Sequence, residues 1–181
     1  MKILLRRLEE RLQEERKTFR TLALSYLLAL LFVTFLFYLP FFRIIGSLDY
    51  SLPYRFFLWI KPSSNPKEKD AQIRKYGYVE VYVGDMQEKY MPLKKKRVFY
   101  LIKKVGCYPG DVLTFKDGVF HCNGRRLGMV HPEAPAPPFK WNGKIPEGHY
   151  FLIGTHPRSF DSKYIGFFSL DKITGVLIPL Y

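Results

Sequence analysis

The sequence predicts a mainly β protein, an antiparallel β-domain carried behind one N-terminal transmembrane helix. Three observations lead there. Thr21 to Phe42 runs 22 residues without a charge, enough helix to cross a hydrocarbon core of about 30 Å. Residues 43–181 then break into short runs rich in Val, Ile, Tyr and Phe, separated by Gly and Pro turns. Beyond the apolar run, no second stretch shows a helical period, which favours antiparallel strands over alternating βα units.

Residues 1–20 hold seven basic and four acidic residues, with Leu4, Leu5, Leu8 and Leu12 on one helical face. They read as a basic amphipathic helix on a membrane surface or as a solvated helical extension. Residues 21–42 follow as the transmembrane helix, bracketed by Arg20 and Arg43, with aromatic residues crowding the far end and Pro40 near the exit. A cleaved signal peptide has a shorter apolar core ending in small residues, so a retained anchor is expected. The excess of Lys and Arg before the span places the N-terminus in the cytoplasm and residues 43–181 outside the inner, cytoplasmic membrane.

In the outer part, Ile44-Ile45 and Arg55 to Ile60 are apolar runs. Pro62 to Asp70 reads as a polar loop. Tyr78 to Val83 alternates as a half-buried strand does. Lys94 to Arg97 is a basic block read as a solvated turn. Val112–Phe115 and Val119–Cys122 flank Lys116-Asp117-Gly118, a hairpin signal, and Asn123-Gly124 makes a second tight turn. Ala134 to Pro138 is an extended loop, and Tyr150–Ile153 and Gly175–Leu180 supply the last strands. The chain therefore divides into 1–20, 21–42 and an extracytoplasmic domain of 43–181.

The formal charge is +13, but the basic residues are scattered and no nucleic-acid-binding signature accompanies them, so a lipid surface is the expected partner and nucleic acid is not. His121, His131, His149 and His156 are far apart in sequence, with no CxxC or HExxH, so no metal or other cofactor is expected. The two cysteines, Cys107 and Cys122, lie in what would be an oxidising compartment; they either pair, closing a loop of about 15 residues, or stay as buried thiols.

Chemistry concentrates in Val98 to Asp111, V-F-Y-L-I-K-K-V-G-C-Y-P-G-D. Apolar residues bracket Lys103 and Lys104 on both sides. A lysine held among apolar side chains loses hydration of its ammonium, and its pKa falls toward the range of a general base. Strand alternation puts one lysine on each face and leaves the two equivalent. Ser51, a few residues past the anchor and followed by Leu-Pro, is a nucleophile for such a base to activate; no Ser-His-Asp set is in view.

Taken with Gly143 to Gly166, G-K-I-P-E-G-H-Y-F-L-I-G-T-H-P-R-S-F-D-S-K-Y-I-G, the lysine box resembles the type I signal peptidases, membrane-anchored Ser/Lys proteases. Their pattern is I-K-R-x-x-G-x-P-G-D, then P-x-G-x-Y-F-x-x-G-D-N, then S-x-D-S-R-Y-x-G. The S-L-P around Ser51 and S-F-D-S-K-Y resemble the TraF-type conjugative-transfer branch. The resemblance implies a signal-peptidase-type β-domain in which Ser51 is nucleophile, Lys103 general base and Ser159 the residue orienting it. Asp161 and Lys163 would form a supporting ion pair. The implied partner is the extended leader peptide of a membrane-inserted preprotein, a pre-pilin or secretion-apparatus component in the TraF-type branch. Two alternatives stand beside it: a general signal peptidase for secreted proteins, and a non-catalytic anchored assembly factor. Three positions depart from the pattern. Lys104 replaces arginine, Gly154-Thr155-His156 replaces Gly-Asp-Asn, and Asp49 stands where a small hydroxyl residue helps form the oxyanion hole. Asp49 is expected to point away, leaving the Ser51 N–H as the main oxyanion donor.

Overall fold

The structure, a computed structural model, describes residues 2–37, 42–47, 51–84, 99–134 and 136–181. The chain divides into two compact units, residues 1–43 and 44–181.

The first unit is dominated by one helix, α1 (Lys2–Phe37, 36 residues). The expected amphipathic segment and the expected span are thus one continuous helix, roughly 54 Å long at 1.5 Å per residue. It ends at Phe37, short of the expected Phe42, which instead opens a strand. Pro40, the expected terminator, lies outside the described residues. The stretch Arg11–Phe35 has a mean hydropathy of 1.7 and none of it is buried within the structure, making it a candidate membrane span. Its hydroxyls do not stay unsatisfied. Thr21 donates to the Lys17 carbonyl, Ser25 to Leu22 and Thr34 to Leu30, as hydroxyls in an apolar medium must.

Among its described residues the second unit is built from two antiparallel sheets. The larger has seven strands in the order β1-β2-β11-β3-β4-β9-β10: β1 (Phe42–Gly46, of which Ile44 onward lies in this unit), β2 (Phe56–Ile60), β3 (Tyr78–Tyr82), β4 (Tyr100–Cys107), β9 (His149–Ile153), β10 (Phe168–Ser169) and β11 (Ile173–Pro179). The smaller runs β7-β6-β5-β8, with β5 (Val112–Lys116), β6 (Val119–Cys122), β7 (Arg125–Met129) and β8 (Gly143–Lys144). The hairpin turns fall where the sequence signals put them. Asp117 and Gly118 at the β5–β6 turn, and Asn123 and Gly124 at the β6–β7 turn, all have positive φ, the backbone that type I′ turns demand.

Pro62 to Asp70 is not wholly loop. Helix α2 (Pro66–Tyr76) starts inside it, capped by the Asn65 side chain, with proline in its first turn and Gly77 at φ 71° closing it. Only Ile73 of the helix is buried, so no apolar stripe announces it; the asparagine-proline start and glycine stop are the signals that were there to read. Asp70 on α2 accepts from the Tyr150 hydroxyl and from Arg74 at 2.8 Å. Burial first, then the bond to Asp70, pushes the Tyr150 phenol well above its ordinary range, so it remains a donor that pins α2 to β9.

One apolar core, including Val79, Val81, Leu101, Val105, Tyr150, Leu152 and Phe168, fills one face of the large sheet. A second, including Cys107, Leu113, Phe120, Cys122 and Phe151, packs the small sheet against the β4–β9 end of the large one. The Pro-Gly-Asp turn organises that junction. The Tyr108 N–H donates to Asp111, the Asn123 amide donates to its other carboxylate oxygen, and the Val112 N–H donates to the Asn123 side-chain oxygen. The two turns are thereby drawn together, and Cys107 and Cys122 form a disulfide with their Cα atoms 5.7 Å apart. Of the two alternatives open in the sequence, the structure has the bonded one. It joins the large sheet to the small one.

Candidate active site

Lys103 occupies the middle of β4, directly opposite Val79 of β3. Its strand neighbours on the same face, Leu101 and Val105, belong to the core. Only 1% of its surface is exposed. Lys104 points to the other face, half-buried, with its Nζ 6.0 Å from the centre of the Tyr78 ring. The two lysines that alternation left equivalent are therefore opposite in environment: one is inside the protein and the other rests over an aromatic ring.

The Lys103 side chain reaches the loop after β9. Its Nζ donates to Ser159 Oγ at 3.2 Å, and Ser159 is itself buried, at 5% exposure. The same loop, residues 154–161, grips Ser51. The Ser51 carbonyl accepts from the Thr155 N–H at 2.6 Å and the His156 N–H at 3.3 Å, and from the Thr155 hydroxyl at 3.2 Å. The Ser159 N–H closes back onto the His156 carbonyl at 2.9 Å. Ser51 is 6% exposed. The fold thus brings Ser51, Lys103 and Ser159 to one place from β4, the turn before β2 and the loop after β9.

Gly154 makes this convergence sterically feasible. A Cβ there would penetrate Ser159 Oγ and lie 2.9 Å from the Ser51 carbonyl oxygen, closer than real Cβ contacts come. Sequence reading did not single out Gly154 or Thr155 as site residues. The signal available was the Gly-Thr-His triplet standing where the resembled pattern has Gly-Asp-Asn.

Behind the loop lies a buried network of hydrogen bonds and one ion pair. β10 pairs with β9 only at His149 and Tyr150. Farther along β9, the Leu152 N–H donates to Ser162 Oγ and, just past the strand, the Gly154 N–H donates to Asp161 Oδ2, each at 2.8 Å. Asp161 caps the short helix α3 (Ser162–Ile165) by accepting from the Lys163 N–H, and pairs with Lys163 Nζ at 2.7 Å. The two side chains are 0% and 3% exposed. A buried pair of this kind is held by geometry, because each charge gives up its hydration and must find it again in the other and in N–H donors. Ser162, set aside in the sequence as structural, is a bond partner of β9.

Among the described residues no histidine ring joins the cluster; His156 reaches it through its backbone alone. His156 is exposed and its Nδ1 accepts from the Arg158 N–H. Among the described residues the one group compact enough to hold a metal is Cys107, Asp111 and Cys122, and its sulfurs are consumed in the disulfide. Asp49 lies outside the described residues, as does the basic block Lys94–Arg97. What the site offers is a buried amine, a serine hydroxyl bonded to it and a second serine hung on the same loop, an arrangement suited to moving a proton to and from a hydroxyl nucleophile.

The family model described as signal peptidase, peptidase S26, matches residues 16–181. A signal peptidase I of Bacillus licheniformis is 30% identical over 129 residues, covering 62% of this chain and 68% of that protein. A probable signal peptidase I-2 of Synechocystis is 32% identical over 76 residues, 41% of this chain and 34% of that protein. The crystal structure of a signal peptidase I from Enterococcus faecalis is similar at 20% identity and a TM-score of 0.35, covering 55% of this chain and 91% of that one. Matched by its model from residue 16 to the last, the chain belongs to the signal peptidase family, peptidase S26.

Proposed function

We propose that this protein is a membrane-anchored serine endopeptidase that removes leader peptides from preproteins, with Ser51 and Lys103 as its catalytic dyad. The observation that carries the reading is the Lys103–Ser159 hydrogen bond at 1% and 5% exposure, on the loop from which Ser51 hangs. A dry site disfavours the ammonium, and a neutral amine is what a base requires. Lys103 takes the Ser51 proton as the hydroxyl oxygen attacks the scissile carbonyl. The tetrahedral oxyanion is received by the Ser51 N–H. Collapse breaks the C–N bond, and Lys103 returns the proton to the departing amine, leaving an acyl-enzyme. Lys103 then takes a proton from the water that attacks the acyl carbonyl and passes it to the Ser51 oxygen as the acid leaves. Ser159 holds the amine in line throughout, and Asp161 with Lys163 keeps the loop rigid.

The substrate is an extended chain just outside the bilayer, adding as a strand beside Ile45–Tyr50, of which 48–50 lie outside the described residues, and Phe99–Ile102; Phe99 and Tyr100 are exposed there, at 46% and 52%. Seven basic residues before the apolar part of α1 support a cytoplasmic N-terminus. A narrower reading, maturation of a pilin or secretion subunit by a TraF-type enzyme, draws on Ser51-Leu52-Pro53 and Ser159-Phe160-Asp161-Ser162-Lys163-Tyr164. The relatives named signal peptidase I favour the general alternative, and a comparison of cleavage of a pre-pilin with cleavage of a secreted preprotein separates the two. The dyad itself is tested by processing of a membrane-inserted preprotein. Ser51→Ala and Lys103→Ala should abolish cleavage, and full cleavage by either variant removes the dyad from the account.

A further inference from the structure

We propose that Thr155 is a positioning residue for the nucleophile, acting through the Ser51 carbonyl. The inference rests on the Ser51–Lys103 reading and extends it to a position where the resembled pattern carries aspartate.

Three donors converge on that carbonyl, and Thr155 supplies two of them: its N–H at 2.6 Å and its hydroxyl at 3.2 Å. The third, the His156 N–H, is longer at 3.3 Å. A carbonyl oxygen has two lone pairs, so the two Thr155 bonds suffice to fill it and fix the orientation of the 51–52 peptide. Fixing that peptide limits rotation about the Cα–C bond of Ser51 and so restricts where its Oγ can stand relative to the base. The base is held by the same loop, four residues on, through Ser159 Oγ. The loop is thus a clamp with one jaw on the nucleophile's backbone and the other on the lysine, and the Thr155 hydroxyl tightens the first jaw. The hydroxyl can do this because it donates. An ionised aspartate at 155 has no proton to give and would face the carbonyl oxygen with like polarity. Thr155 is exposed, so its side chain contributes no core packing that would otherwise explain its type.

The test uses the full-length enzyme in vesicles with a leader-bearing preprotein, measuring kcat and KM separately for Thr155→Val, Thr155→Ser and Thr155→Asp. Valine keeps the shape and deletes the donor; kcat should fall about fivefold, the effect of one neutral hydrogen bond, with KM within about twofold. Serine restores the donor and should recover most of the loss. Aspartate should be at least as poor as valine. The proposal is overturned if valine matches the parent in kcat, if serine is as impaired as valine, or if only KM changes. Ser51→Ala is assayed in parallel. Residual turnover in that variant sinks the dyad itself, whereas a dead Ser51→Ala beside a fully active Thr155→Val sinks only the role of Thr155.

Discussion

At the residue scale the fold decides between two lysines that local sequence leaves tied. Alternation along β4 gives one lysine to each face, and nothing in I-K-K-V tells which face is inside. That is settled by what the other strands lay against it: Val79 opposite Lys103, and the Tyr78 ring below Lys104. The consequence is a sharp asymmetry. Lys103→Ala should lower kcat/KM at least a hundredfold, at the lower end of what a general base contributes, whereas Lys104→Ala should stay within a few-fold; equal losses in the two variants would contradict the assignment. Gly154→Ala should also disable the enzyme, since its Cβ has no room between Ser159 and the Ser51 carbonyl. Turnover like the parent's in that variant would mean the loop relaxes freely and does not clamp the site. The buried Asp161–Lys163 pair makes a stability prediction. Lys163→Ala leaves a buried carboxylate without its cation and should cost about 3–5 kcal/mol in denaturant unfolding.

At the element scale, the strands were largely legible because their signals are local. Tyr78–Val83 alternates and becomes β3, ending at Tyr82; the Asp117-Gly118 and Asn123-Gly124 turns fix the β5–β6–β7 meander. Helix α2 was not legible by periodicity, because a helix that buries only Ile73 has almost no apolar face to show. The end of α1 was misplaced for a related reason: Phe42 is as apolar as the residues before it, and an uncharged run does not mark where helix gives way to strand. The partnering of Ser51 with the β9–α3 loop is a long-range closure, across some hundred residues of chain, that no local pattern encodes; only the family resemblance linked these segments. The disulfide belongs to this scale too. It ties the end of the Lys103 strand to the small sheet, and in the chain-entropy account closing a loop of this length is worth about 3 kcal/mol. Cys107→Ser with Cys122→Ser should lower unfolding stability by about that amount, and an unchanged midpoint and slope would show that the junction is held by packing and the Asp111 bonds alone.

At the scale of the whole molecule, a long N-terminal helix precedes a β-domain that buries Lys103 on a strand and Ser51 and Ser159 on the connections beside it. The basic residues before the apolar part of α1 support the proposed orientation, with a cytoplasmic N-terminus and residues 44–181 outside. A protease added to the outer face of intact spheroplasts should therefore digest residues 44–181 and leave an α1 fragment, while protection of the β-domain would reverse the proposed orientation. The central claim is that Ser51 carries the acyl group and Lys103 activates it. It is tested most directly by single-turnover reaction of the full-length enzyme with a leader peptide, quenched in acid and read by peptide mass spectrometry. The acyl fragment is expected on the peptide containing Ser51, absent in Ser51→Ala and strongly diminished in Lys103→Ala. An acyl fragment on any other residue, or undiminished acylation in Lys103→Ala, would contradict it.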